Sequence, residues 1–135
     1  MELHANRLRT LLLERDLWSF MPAAWYGTLE ELIDGRKRGV LFFHDEEFDQ
    51  RLSNLCDDMA ELAAFISQNS GYETINGVGH IGFKPFSIVP QDRYEELQEL
   101  ARNANVKAST AWGALDELVR DLKATIQAAT DDPIR

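Results

Sequence analysis

The feature that most constrains this chain is the stretch Asp45 to Asn69, DEEFDQRLSNLCDDMAELAAFISQN. Phe48, Leu52, Leu55, Met59, Leu62 and Ile66 recur at alternating steps of four and three, so all six share one stripe of an α-helix. Asp45 is placed to cap it. Glu46, Glu47 and Asp49 put negative charge on the first turn, where the helix dipole and unpaired N–H groups favour it. Ser70 and Gly71 supply the stop. An apolar stripe of this length has to be covered, and the remaining segments are read as its cover.

Residues Glu2 to about Leu17 contain no Gly or Pro and predict a helix. Leu8, Leu11, Leu12, Leu13, Leu17 and Trp18 spread over several sides of it, which suits a helix packed between two partners. Pro22 ends that regularity, and MPAAWYG reads as a connection carrying Trp25 and Tyr26. Thr28-Leu29-Glu30-Glu31 has capping-box spacing and predicts the start of a short helix that Gly35 ends. Gly39 to His44 is a compact apolar run, and Val40–Phe43 reads as a buried strand.

Beyond the central helix, Tyr72 to Val89 is rich in Gly, β-branched and aromatic residues. Asn76-Gly77 between Tyr72–Ile75 and Val78–Phe83 predicts a two-residue hairpin, with Phe86–Val89 as a third or edge strand. Pro90 opens the last helical region. Within 92–129, Tyr94, Leu97, Leu100, Ala101 and Ala104 share one face, and Trp112, Leu115, Val119, Leu122 and Ile126 form another stripe. Asn103, Asn105, Ser109 and Thr110 are poor helix formers and good caps, so a break into a helical hairpin is expected. The competing pattern keeps Leu97, Ala101, Ala104, Ala108, Ala111, Leu115, Leu118 and Leu122 in one seven-residue register. A continuous helix of that kind, about 55 Å long, would be a dimerisation arm and make a homodimer. The expected fold is α+β: one mainly helical domain over 1–135, with a small antiparallel sheet between the helices and a frayed tail over 130–135.

Composition excludes several classes of function. At 135 residues with 44% hydrophobic and 27% charged residues, the chain has ordinary globular composition. No apolar run approaches the roughly 18 residues of a membrane span. The N-terminal stretch carries charges inside its apolar part and does not read as a signal peptide. Cys56 is the single cysteine, so an intramolecular disulfide is impossible and a cytoplasmic setting is expected. A net charge of −9 repels nucleic-acid phosphates and favours a basic partner.

Few motifs carry chemistry. Gly77-Val78-Gly79-His80-Ile81-Gly82 has the letters of a dinucleotide fingerprint but lacks the strand before and helix after that the mechanism needs. Glycines of a twisted hairpin account for it better. Glu96 and Glu99, followed by Glu117 and Asp121, resemble the metal-binding carboxylate pairs of the all-helical nucleotide pyrophosphatases similar to MazG, and the resemblance implies a divalent-metal site. The second pair is spaced by four instead of three. Glu99 and Asp121 also fall opposite the apolar stripes of their helices, so a solvated outer face is expected and no metal or cofactor. His4, His44 and His80 show no metal-ligand spacing. Mid-helix Cys56 reads as an inert buried thiol, and no serine lies in a nucleophile elbow.

The functional expectation is therefore a small acidic cytoplasmic interaction module: an adaptor, inhibitor or immunity-like factor that binds another protein. Trp25 and Tyr26 are the expected aromatic anchors, with the basic turn Arg36, Lys37 and Arg38 at the rim; the rival reading of these aromatics is a lid whose rings pack on the central helix. The alternative is a small enzyme or ligand-binding protein with a polar site around His44, His80 and Asp45.

Overall fold

The computed structural model describes residues 8–130. A π-helical turn, Thr10–Glu14, leads to a two-residue strand β1 (Met21–Pro22) and helix α1 (Ala23–Lys37). Helix α2 (Glu46–Asn69), the hairpin strands β2 (Gly71–Ile75) and β3 (Val78–Gly82), and helix α3 (Gln91–Thr130) follow. It is a mainly helical α+β fold. Residues 2–7 of the expected first helix, and the expected tail beyond Thr130, lie outside the described residues.

Helix α2 is the centre of the layer. Asp45 caps it through a 3.0 Å bond from the Phe48 N–H to its carboxylate, and Ser70 closes it with its N–H on the Ile66 carbonyl. Leu52, Leu55, Met59, Leu62 and Ile66 are all buried, Met59 and Leu62 completely. Each such side chain withdrawn from water contributes roughly 1.5–3 kcal/mol before entropy is charged against it. Helices α1 and α3 both pack on α2. The ion pairs Lys107–Glu61 and Arg51–Asp121, 3.0 and 2.9 Å, show α3 running antiparallel to α2.

The Asn76-Gly77 hairpin forms as its sequence predicts. Asn76 and Gly77 have φ of 52° and 78°, the left-handed pair that a tight hairpin turn requires. The strand order is β1-β3-β2, all antiparallel, with Met21 opposite Ile81 and Tyr72 opposite Ile81 on the other side. Gly82 meets the backbone of Ser19 and Phe20, so it has no room for a side chain, whereas Gly79 lies under the end of the exposed Tyr72 ring, which would have to swing aside. The sheet sits where α1 begins and α2 ends.

Several expectations need correction. MPAAWYG is not a connection: α1 starts at Ala23, directly after Pro22, whose missing N–H costs nothing ahead of a helix. Thr28 is not a cap. It is buried in mid-helix, and its hydroxyl donates back to the Trp25 carbonyl at 2.8 Å. The stop is Gly39 rather than Gly35. With φ of 71°, Gly39 donates to the Arg36 carbonyl while Val40 donates to the Gly35 carbonyl, the two bonds of a Schellman motif. Val40–Phe43 is irregular, not a strand, and Phe86–Val89 joins no sheet. The third strand is Met21–Pro22.

The expected break in the last region is also absent, and α3 runs for 40 residues, about 60 Å. Asn105 serves a tertiary role instead of a cap. Its carbonyl accepts from the Leu17 N–H at 2.9 Å, and its amide donates to Asp16 at 2.8 Å. Ala101, Ala104, Ala108 and Ala111 are buried on the same helix, a low ridge beside the N-terminal π-helical turn. Leu8, Leu11, Leu12 and Leu17 belong to the same core. The core face is thus the seven-residue register through Leu97 and Leu118, while Val119 and Ile126 stay exposed.

Candidate functional site

The connection between α1 and α2, residues 38–45, is irregular yet closely tied. After the Schellman bonds, Leu41 N–H also reaches the Gly35 carbonyl at 3.0 Å. Arg36, on the last turn of α1, reaches the Asp49 carboxylate with both terminal nitrogens, at 2.6 and 3.0 Å. The same guanidinium donates to the Leu41 carbonyl at 3.3 Å, and Asp49 accepts from the Phe43 N–H at 2.9 Å. A planar, bidentate pair fixes direction as well as distance, so these bonds lock the connection onto both helices. The hydrogen bond from Arg36, then that from Phe43, holds the Asp49 carboxyl at about 2, below the ordinary carboxylate range.

Within this framework the side chains alternate in fate. Leu41 and Phe43 turn inward against the core, and Phe43 packs on Phe48 at 6.2 Å between centroids. Val40 and Phe42 turn outward, 74% and 52% exposed. Phe42 meets the His44 ring edge-on at 5.1 Å. Lys37 and Arg38 stand exposed beside them. The Arg36–Asp49 pair fixes the backbone that carries Val40 and Phe42.

The residues expected to bind a partner are dispersed over different environments. Tyr26 is buried on α1, and its hydroxyl has no hydrogen-bond partner among the described residues. Burial pushes that phenol well above its ordinary value. Trp25 is half-buried, packed against the core, with the Arg15 guanidinium 5.4 Å from its ring centroid. Arg36 is engaged with Asp49. Of the five, Lys37 and Arg38 are the ones presented to solvent. Val40 and Phe42, expected from the sequence in a buried strand, are the large apolar side chains that this connection exposes.

The alternative polar site does not assemble. His44 precedes the start of α2, while His80 lies on β3, opposite Glu73 in the hairpin that follows the end of α2. The 24 residues of α2, about 36 Å, separate the two ends. Asp45 is spent on the cap, and His80 Nδ1 lies 2.8 Å from the Val78 carbonyl. His4 lies outside the described residues. Burial pushes the Cys56 thiol up, which keeps it protonated and unreactive. Glu96 pairs with Arg93, Glu99 with Arg102, and Asp121 reaches across to Arg51 on α2. Among the described residues no group of three His, Cys, Asp or Glu converges to hold a metal ion. Among the described residues no helix is long and apolar enough to cross a membrane, and the Gly77–Gly82 motif is a turn and strand that does not lead directly into a helix N-terminus able to receive a phosphate.

Comparison with protein-family models, with curated proteins and with solved structures finds no match to this chain.

Proposed function

We propose that the protein is a small acidic interaction module, an adaptor or inhibitor of the immunity-factor kind, which acts in the cytoplasm by covering another protein. One observation supports the reading most: the connection between α1 and α2 is locked by Arg36 and Asp49 yet holds Val40 and Phe42 exposed. An aromatic anchor already fixed in its bound position costs little to order on binding, and such anchors dominate interface energies. Lys37 and Arg38 form the rim, where charge sets orientation and association rate more than affinity. The net charge of −9 favours a partner whose surface is basic overall, with a carboxylate to meet the two rim cations.

The test is affinity capture followed by titration with the stoichiometric partner so identified. Phe42→Ala is expected to weaken that binding by about 2 kcal/mol or more, with little change in melting temperature because the ring is already solvated. Asp58→Ala, on the exposed face of α2, is expected to change neither. Equal binding by wild type and Phe42→Ala would show that this surface is not the site.

A further inference from the structure

Helix α3 carries a second apolar seam that its own fold leaves half-covered. Trp112, Leu115, Val119, Leu122, Ile126 and Ala129 recur at alternating steps of three and four, the spacing of a coiled-coil seam. The true core face of α3 lies beside it, through Ala104, Ala108, Ala111 and Leu118. Trp112, Leu115 and Leu122 are shared between the two faces and are partly buried. Val119 is 38% exposed and Ile126 is 64% exposed. The seam spans 18 residues, about 27 Å of a straight helix.

We infer that this seam is the interface of a homodimer in which α3 of two copies pack antiparallel about a two-fold axis between Arg120 and Asp121. Three features of the seam select a second copy. Volume is the first. In that register Val119 faces Leu122 of the other copy and Leu115 faces Ile126. Trp112, the bulkiest seam residue, then meets Ala129, the smallest. A two-fold interface must complement itself, and this one does so in all its layers. A parallel arrangement would instead stack Trp112 on Trp112.

Charge is the second feature. Asp116 and Lys123 flank the seam on its outer side, seven residues apart and opposite in sign. In the antiparallel register the Asp116 of each copy comes beside the Lys123 of the other, giving two symmetric pairs. Lys123 is exposed, and Asp116 is bonded within the chain to Arg120 at 2.7 Å, on the turn below. The third feature is the choice of flank. The inner flank, Ala111 and Leu118, is buried in the protein's own core, so only the outer flank can pair. Outer flanks meet each other when two helices run antiparallel. In a parallel pair each would meet an inner flank that is already occupied.

This dimer uses a different element, α3, from the α1–α2 connection, and its test does not involve the partner of that surface. The measurement is sedimentation equilibrium of the full chain over micromolar to millimolar concentrations. Wild type is expected to show a reversible monomer–dimer equilibrium. Lys123→Asp turns both symmetric attractions into repulsions and should raise the dimer Kd about tenfold. The double exchange Asp116→Lys with Lys123→Asp restores opposite signs and should return the Kd to within about threefold of wild type. Val119→Glu puts a carboxylate at the seam centre and should raise the Kd about a hundredfold or more. Position 123 is exposed, so Lys123→Asp keeps the test valid should Val119→Glu impair folding. A wild type that stays monomeric at millimolar concentration would overturn the inference. So would a double exchange that fails to restore the dimer lost in Lys123→Asp.

Discussion

Asp49 shows how one carboxylate can decide the shape of a surface. It joins the end of α1, the connection and the start of α2 through Arg36 and the Phe43 N–H. Its folded value of about 2 lies below the roughly 3.9 of an unfolded aspartate, so its contribution to stability is complete above about pH 4. That contribution is lost as pH falls through about 2. Asp49→Asn is therefore expected to lower the melting temperature at pH 7, with the gap to wild type shrinking as pH falls from 4 towards 2. Thermal melts across that range check it, and a gap that stays constant down to pH 2.5 would contradict the assignment. Tyr26 is the opposite kind of residue. Its buried hydroxyl lacks a partner among the described residues, a loss of roughly 1–3 kcal/mol that the burial of its ring has to offset.

At the scale of elements, the legible parts of the sequence were those where local chemistry and tertiary demand agree. The α2 stripe, its Asp45 cap and the Asn76-Gly77 turn each satisfy their own backbone, and the fold uses them unchanged. Leu55 is 3% exposed, and Leu55→Ala is expected to cost roughly 2–5 kcal/mol through lost burial and a residual cavity. Asp57→Ala, on the exposed face, is expected to change stability by less than about 0.5 kcal/mol. Denaturant midpoints for the two variants measure the difference directly. The misread elements are those where one residue type serves two purposes. A proline can end a helix or stand ahead of one, and Pro22 does the latter. Asn105 could cap a helix, but it holds Asp16 and Leu17 from mid-helix. Apolar runs such as Val40–Phe43 and Phe86–Val89 suit a buried strand, yet the sheet took Met21–Pro22, whose close approach to β3 is permitted by Gly82, which lacks a side chain that would meet the Ser19 and Phe20 backbone.

At the scale of the whole molecule, α2 is both the core and the ruler. Its two ends carry different material, the sheet at one and the exposed connection at the other, and its length keeps His44 and His80 apart. The candidate site was legible in part: Lys37 and Arg38 are exposed as expected, but Arg36 and Lys37 belong to the last turn of α1 and not to a turn beyond it. Trp25 and Tyr26 were misplaced because a connection was expected where α1 begins, and the outward pair Val40 and Phe42 was hidden inside an expected strand. The proposed binding rests on a surface that is fixed before any partner arrives. Native-state hydrogen exchange of the isolated protein tests that most directly. The amides of Val40, Leu41 and Phe43 are expected to exchange at least about a hundredfold more slowly than an unstructured chain, and Arg36→Ala should abolish much of that protection. Exchange of these three amides at unstructured-chain rates in the wild type would contradict the claim.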